Sequence, residues 1–185
     1  MDIPTTRFGL LQIDNDRVIK FPKGLLGFEQ ATRFCLLRPS EEACFFWLQS
    51  IDDPALAFVV TDPTLFYPDY TVPFRAEQMS ELKLRATEDG QVFVIVNKVG
   101  SALTGNLQGP LVINTLERVG EQVVLAEKKW ATRMPLLDVV AQDPAARPTE
   151  KSSVSIEATV FPVAISPRAS TEVATKPGVP TAAAA

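Results

Sequence analysis

The chain has 185 residues, 46% of them apolar and 22% charged, a size and balance that suit one globular domain and exclude a fibrous or wholly disordered polypeptide. Its 18 Lys and Arg against 22 Asp and Glu give a formal net charge of -4 with no dense basic cluster, which argues against direct reading of RNA or DNA and suits a basic protein partner. The amino terminus, Met1-Asp-Ile-Pro-Thr-Thr-Arg, lacks the basic segment and apolar stretch of a secretory signal. Apolar runs such as residues 56–60 are too short to cross a membrane, so a cytoplasmic location is expected.

From residue 8 to about 125, short runs rich in Phe, Val, Ile and Leu are separated by Pro, Gly, Asp and Asn, the rhythm of strands. In chain order, strands are expected over residues 6–13, 17–21, 33–37, 44–51, 55–61, 91–99, 111–115 and 121–125, a mainly β domain arranged as a small barrel or sandwich. Asp14-Asn15-Asp16 and Val119-Gly120-Glu121 read as hairpin tips, the second with Gly120 able to accept positive φ, and Asp52-Asp53-Pro54 reads as a further turn. In Phe21-Pro-Lys-Gly-Leu-Leu-Gly-Phe28, the two glycines form a tight turn that carries Phe21 and Phe28 into the core. Neither their spacing nor their surroundings match a phosphate-binding loop.

One short helix is expected over residues 76–85, with Met79, Leu82 and Leu84 near one side, and at that length it stands only by packing on the sheet. Cys35 and Cys44 lie in apolar strand-like runs, are too few for a disulfide scaffold and lack zinc-site spacing, so each reads as a small buried hydrophobe. The domain is expected to occupy residues 1–137. Beyond it, residues 138–185 form an Ala/Pro-rich tail with a single aromatic, Phe161, which reads as disordered. Within the tail, residues 155–165 carry Ile156, Ala158, Val160, Val163 and Ile165 in the pattern of one added strand.

The chain contains no histidine, which removes Ser-His-Asp and Cys-His nucleophiles, imidazole metal ligands and the commonest general base together. No catalysis, cofactor or metal is expected. Asp52 with Asp53, and Asp62 with Asp69, are the carboxylate pairs available on paper, and turn formation accounts for both. A flavin-binding barrel is the enzymatic alternative, supported only by the habit of barrels to host ligands.

Three segments carry more than architecture: the aromatic run Phe45-Phe46-Trp47 that ends in Asp52-Asp53-Pro54, the proline-punctuated loop from Asp62 to Tyr70, and Gly105-Asn-Leu-Gln-Gly-Pro-Leu-Val-Ile-Asn114. Aromatic rings on loops with acidic neighbours supply contact area at low entropic cost. The candidate contact residues are therefore Asp52, Asp53, Phe66, Tyr67, Asp69, Tyr70 and Asn106. The architectural alternative is that Phe66 and Tyr70 cap the mouth of the barrel.

These segments resemble the FliW family. Phe21 to Glu29 matches its Phe-Pro-x-Gly-(Leu/Ile)-x-Gly-Phe-Glu stretch; Phe46-Trp-Leu-Gln-Ser-Ile-Asp-Asp-Pro, Ala57-Phe-Val-Val-Thr-Asp-Pro63 and Tyr67-Pro-Asp-Tyr70 follow in order. Thr104 to Asn114, Gly120-Glu-Gln-Val-Val-Leu125 and Trp130-Ala-Thr-Arg-Met-Pro-Leu136 complete the series over about residues 1–137, although Trp130 stands where the family commonly has Tyr and Met134 where it often has His. The resemblance implies an antiparallel β-barrel-like fold and two protein partners, flagellin and the RNA-binding translational repressor CsrA. It further implies that the protein, when free of flagellin, binds CsrA and relieves its block on flagellin mRNA translation. A cytosolic flagellin chaperone with a secondary regulatory role is the alternative. The acidic turn and the Tyr67–Tyr70 loop are expected to contact the repressor.

Overall fold

The structure, a computed structural model, describes residues 1–138; the tail beyond, with its expected strand at 155–165, lies outside the described residues. The strands are β1 (Asp2–Thr5), β2 (Gly9–Gln12), β3 (Ile19–Lys20), β4 (Arg33–Leu37), β5 (Phe45–Ser50), β6 (Ala57–Thr61), β7 (Gly90–Val99), β8 (Ala102–Gly105), β9 (Leu111–Asn114), β10 (Val119–Gln122) and β11 (Met134–Asp138). Among the described residues the single α-helix, α1, spans Ala76–Glu81.

From β3 to β7 each strand pairs antiparallel with the next. The long β7 then serves two partners, β9 along Gly90–Phe93 and β8 along Val96–Val99. Since β9 pairs with β10, and β10 meets β3 in parallel at Val119 and Lys20, the pairing path closes on itself through seven strands. Closure removes free edges from that ring. β11 extends it beyond β8 as an outer ribbon, with an irregular register between Pro135 and Leu137.

Period-two alternation decides what lies inside. Phe34, Phe46, Leu48, Val60, Phe93, Leu111 and Ile113 converge in the ring with Ile19, Phe21 and Leu25. Two outer faces are also apolar and are covered differently. The β1–β2 hairpin lays Ile3, Leu11 and Ile13 over Cys35 and Leu37, whereas the loop after β6, the residues just after α1 and the segment leading to β11 bring Tyr70, Leu82, Leu84 and Trp130 over Val94, Val112 and Val123. A buried side chain of this size contributes about 1.5–3 kcal/mol.

Several expected elements are corrected. The strand expected over 6–13 shortens to β2, with residues 6–8 making the turn of a hairpin with β1, and Asp14-Asn15-Asp16 is no hairpin tip: a 3-10 turn at Asn15–Arg17 leads from β2 into β3, which pair with different strands. Val119-Gly120-Glu121 lies within β10, two residues earlier than the expected strand, and residues 115–118 make the turn. Gly120 is needed for space, since a Cβ there would stand 2.6 Å from the Phe21 ring. The helix stops at Glu81 because Lys83 turns left-handed at φ 54° and the Leu84 N–H closes back on the Met79 carbonyl. β1, β8 and β11, all four or five residues long, carry too little pattern to stand out.

Phe21 is fully buried as expected, but Phe28 remains 44% exposed and stacks edge-on against Phe58. Cys35 is buried, its thiol pushed up to about 12 by desolvation, whereas Cys44 is exposed rather than buried.

Candidate partner-binding site

The loop that follows β6 begins with a 3-10 turn at Pro63–Leu65, capped by the Asp62 carboxylate, which accepts from the Thr64 N–H at 2.8 Å and its hydroxyl at 2.6 Å. This cap sends Leu65 outward, 58% exposed, and lays Phe66 against Phe45 with ring centroids 6.1 Å apart. Asp62 therefore shapes the loop.

Further along, the loop is stapled to the carboxy-terminal part of the domain. The Tyr67 hydroxyl donates to the Pro135 carbonyl, and the Tyr67 and Tyr70 rings meet Trp130 edge-on at 5.6 and 4.9 Å. Lys129 pairs with Asp69 while its ammonium lies 4.5 Å from the Trp130 ring centre. The Lys129 hydrogen bond holds the Asp69 carboxyl below the ordinary carboxylate value.

Tyr70 is corrected as a surface contact. It is 4% exposed, and its hydroxyl donates at 2.7 Å to the Leu107 carbonyl, so it forms the floor of the loop; burial drives its ionisation upward. Asn106 is half-buried and folds residues 105–110, its side-chain oxygen accepting from the Gly109 N–H at 3.0 Å. That local turn brings the Leu107 N–H to the Ala131 carbonyl, which completes the staple.

Asp52 and Asp53 occupy the β5–β6 turn, at the other end of β6 from the aromatic loop. A five-residue strand separates the two by about 17 Å. The Asp52 carboxylate accepts from the Thr32 and Arg33 N–H groups, both at 2.8 Å, and pairs with the Arg33 guanidinium at 2.7 Å. Burial alone would raise this carboxyl, but those hydrogen bonds outweigh it and the net shift is downward. Asp53 keeps an exposed carboxylate, with one oxygen accepting from the Ala55 N–H. The expected residues thus form two surfaces: Phe66, Tyr67 and Asp69 at one end, and Asp53 at the other.

Among the described residues, no group of three or more His, Cys, Asp or Glu is placed to hold a metal ion, and no helix is long and apolar enough to cross a membrane. A cavity of about 260 Å³ lies between α1 and β10, lined by Pro22, Leu82 and Val119, with Lys23 bridging Glu81 and Glu121 at 2.7 and 3.0 Å.

The motifs that build both surfaces fall within residues 2–136, the span matched by the family model described as FliW protein. The chain belongs to the FliW family. The flagellar assembly factor FliW of Treponema denticola is 40% identical over 139 residues, covering 74% of this chain and 94% of that protein. That of Leptospira biflexa is 35% identical, covering 74% and 91%. A crystal structure of the flagellar assembly factor FliW superposes with a TM-score of 0.68 at 31% identity, covering 74% of this chain and 97% of that one.

Within this FliW domain, the contact reading of the sequence missed Leu65, Lys129 and Trp130. The chain signalled Trp130 as part of a motif, but nothing local links a residue at 130 to tyrosines at 67 and 70. Leu65 carries no sequence signal, because its exposure follows from the Asp62 cap.

Proposed function

We propose that the chain is a cytoplasmic flagellar assembly factor that works by binding and catalyses nothing. It takes up flagellin and, when free of flagellin, binds CsrA and lifts its block on flagellin mRNA translation. The observation that carries this reading is the stapled loop after β6. Leu65, Phe66 and Tyr67 stand on it beside the Asp69–Lys129 pair, and the Tyr67 and Tyr70 hydroxyls tie it to the Pro135 and Leu107 carbonyls, so little ordering entropy remains to be lost on binding. The names of the relatives and the order of the motifs support the same reading.

Calorimetric titration of the full chain with CsrA and with flagellin, in both orders, tests it. Binding of each partner, with the first suppressing the second, is expected. Absence of CsrA binding in either order would sink the regulatory part. The exposed Leu65 beside half-buried Phe66 favours a second reading, a flagellin chaperone, which predicts flagellin binding that CsrA does not disturb.

A further inference from the structure

Gln49 lies on the outer face of β5, cross-strand from Cys35 and Ala57, and is fully buried. Its side-chain amide donates to three backbone carbonyls, those of Ser50 at 2.9 Å, Leu56 at 3.0 Å and Pro54 at 3.4 Å. Because all three partners are acceptors, only the NH2 end can face them. The other end, Oε1, is left buried without a hydrogen-bond partner among the described residues.

An unpaired buried acceptor is unfavourable, and between Cys35 and Ala57 an apolar side chain would build the strand without it. The amide is consistent instead with a demand for one particular turn shape. The next residue acts on the same turn: the Ser50 hydroxyl accepts from the Asp52 N–H at 3.1 Å and the Asp53 N–H at 3.0 Å. Arg33 neutralises Asp52, whereas among the described residues no cation pairs with Asp53.

We propose that Gln49 is a positioning residue that braces the 50–56 turn so that Asp53 projects as a preset carboxylate for a Lys or Arg side chain of a protein partner. This rests on the reading that the acidic turn is a contact surface. Gln49 touches no partner itself.

The test compares Asp53→Lys and Gln49→Met in the full chain, each titrated with CsrA and with flagellin, with amide hydrogen exchange recorded on both variants. Asp53→Lys is expected to weaken one partner, slow its association and flatten the salt dependence of that rate. Gln49→Met should weaken the same partner about tenfold, since a loosened turn must be fixed again on binding. It should also speed exchange within residues 50–56 while leaving affinity for the other partner and the steepness of the salt dependence unchanged.

A purely structural role would weaken both partners together. That result, or wild-type affinity in Gln49→Met despite faster exchange, overturns the positioning role. Should Gln49→Met fail to fold, Ser50→Ala removes the second brace and carries the same expectations. If Asp53→Lys leaves both affinities unchanged, the turn is no contact surface, and the underlying reading fails at that point rather than the brace.

Discussion

Asn114, at the end of β9, offers the sharpest test of how these loops are held. Its side chain is 2% exposed and makes four hydrogen bonds, donating to the Leu82 and Lys83 carbonyls at 3.0 Å each and accepting from the Leu116 and Glu117 N–H groups at 3.0 and 3.1 Å. One amide therefore ties the end of α1 to the 115–118 turn, and on either side of it stand the two non-glycine residues with positive φ among the described residues, Lys83 and Arg118. Asn114→Ala removes all four bonds. The turn N–H groups can rehydrate, because Leu116 is 80% exposed, but the buried Leu82 carbonyl cannot, and an unpaired buried group costs about 1–3 kcal/mol. The Lys83 carbonyl loses its bond as well, a further loss of about 0.5–1.5 kcal/mol. The sum is about 3 kcal/mol, which for a domain of this size lowers the melting temperature by roughly 10 °C. Thermal melts at pH 7 followed by circular dichroism measure it. Lys83→Gly in the same background should recover roughly 1 kcal/mol by relieving the backbone. A single variant melting within about 2 °C of the parent, against that ~10 °C expectation, would show that Asn114 does not carry these loops.

The two glycines of the 21–28 turn separate space from backbone. Both have positive φ, but a Cβ at Gly24 would stand 2.6 Å from the Glu29 backbone whereas one at Gly27 meets nothing within 4 Å, so Gly27→Ala should cost about 1–2 kcal/mol by chemical denaturation and Gly24→Ala clearly more. Equal costs would refute the contact argument. The Asp52 carboxyl is held below its ordinary value of 3.8, so its contribution to stability is present above that value and is lost as the pH falls through the lower, folded value. Asp52→Asn should flatten this acid limb of the stability–pH profile, and an unchanged limb would place the acid sensitivity elsewhere.

How much was legible in the sequence depended on range. The long alternating runs, β5, β6 and β7, declare themselves because one face of each packs into the ring, and Phe46, Leu48, Val60 and Phe93 follow period two. The short strands β1, β8 and β11 exist through their partners and had no pattern of their own. Gly120 shows the same limit: a turn residue by composition, it sits in a strand because the Phe21 ring occupies the place of its side chain. At the candidate site, the aromatic loop was found from composition, but which rings face outward was decided by distant residues. Tyr70 turns inward to reach the Leu107 carbonyl and Trp130, contacts across 37 and 60 positions of chain that no local rule anticipates. Asn106 was singled out in the Gly105–Asn114 segment and proves to be the residue that folds the Leu107 turn.

The separation of Asp53 from Leu65 and Phe66 bears on how two partners would exclude one another. An ordinary protein interface covers about 800 Å² on each side, a patch roughly 30 Å across. β6 holds the two surfaces only about 17 Å apart along its length. A partner lying along β6 from either end would therefore overhang the other surface without sharing a contact residue with its competitor. Exclusion by bulk has a signature that exclusion by shared residues lacks. Asp53→Lys should weaken one partner and Phe66→Ala the other, while in each variant the two partners still compete. If either substitution weakened both partners to the same extent, with the melting temperature unchanged, the two would share one surface and the strand would not be the spacer between them.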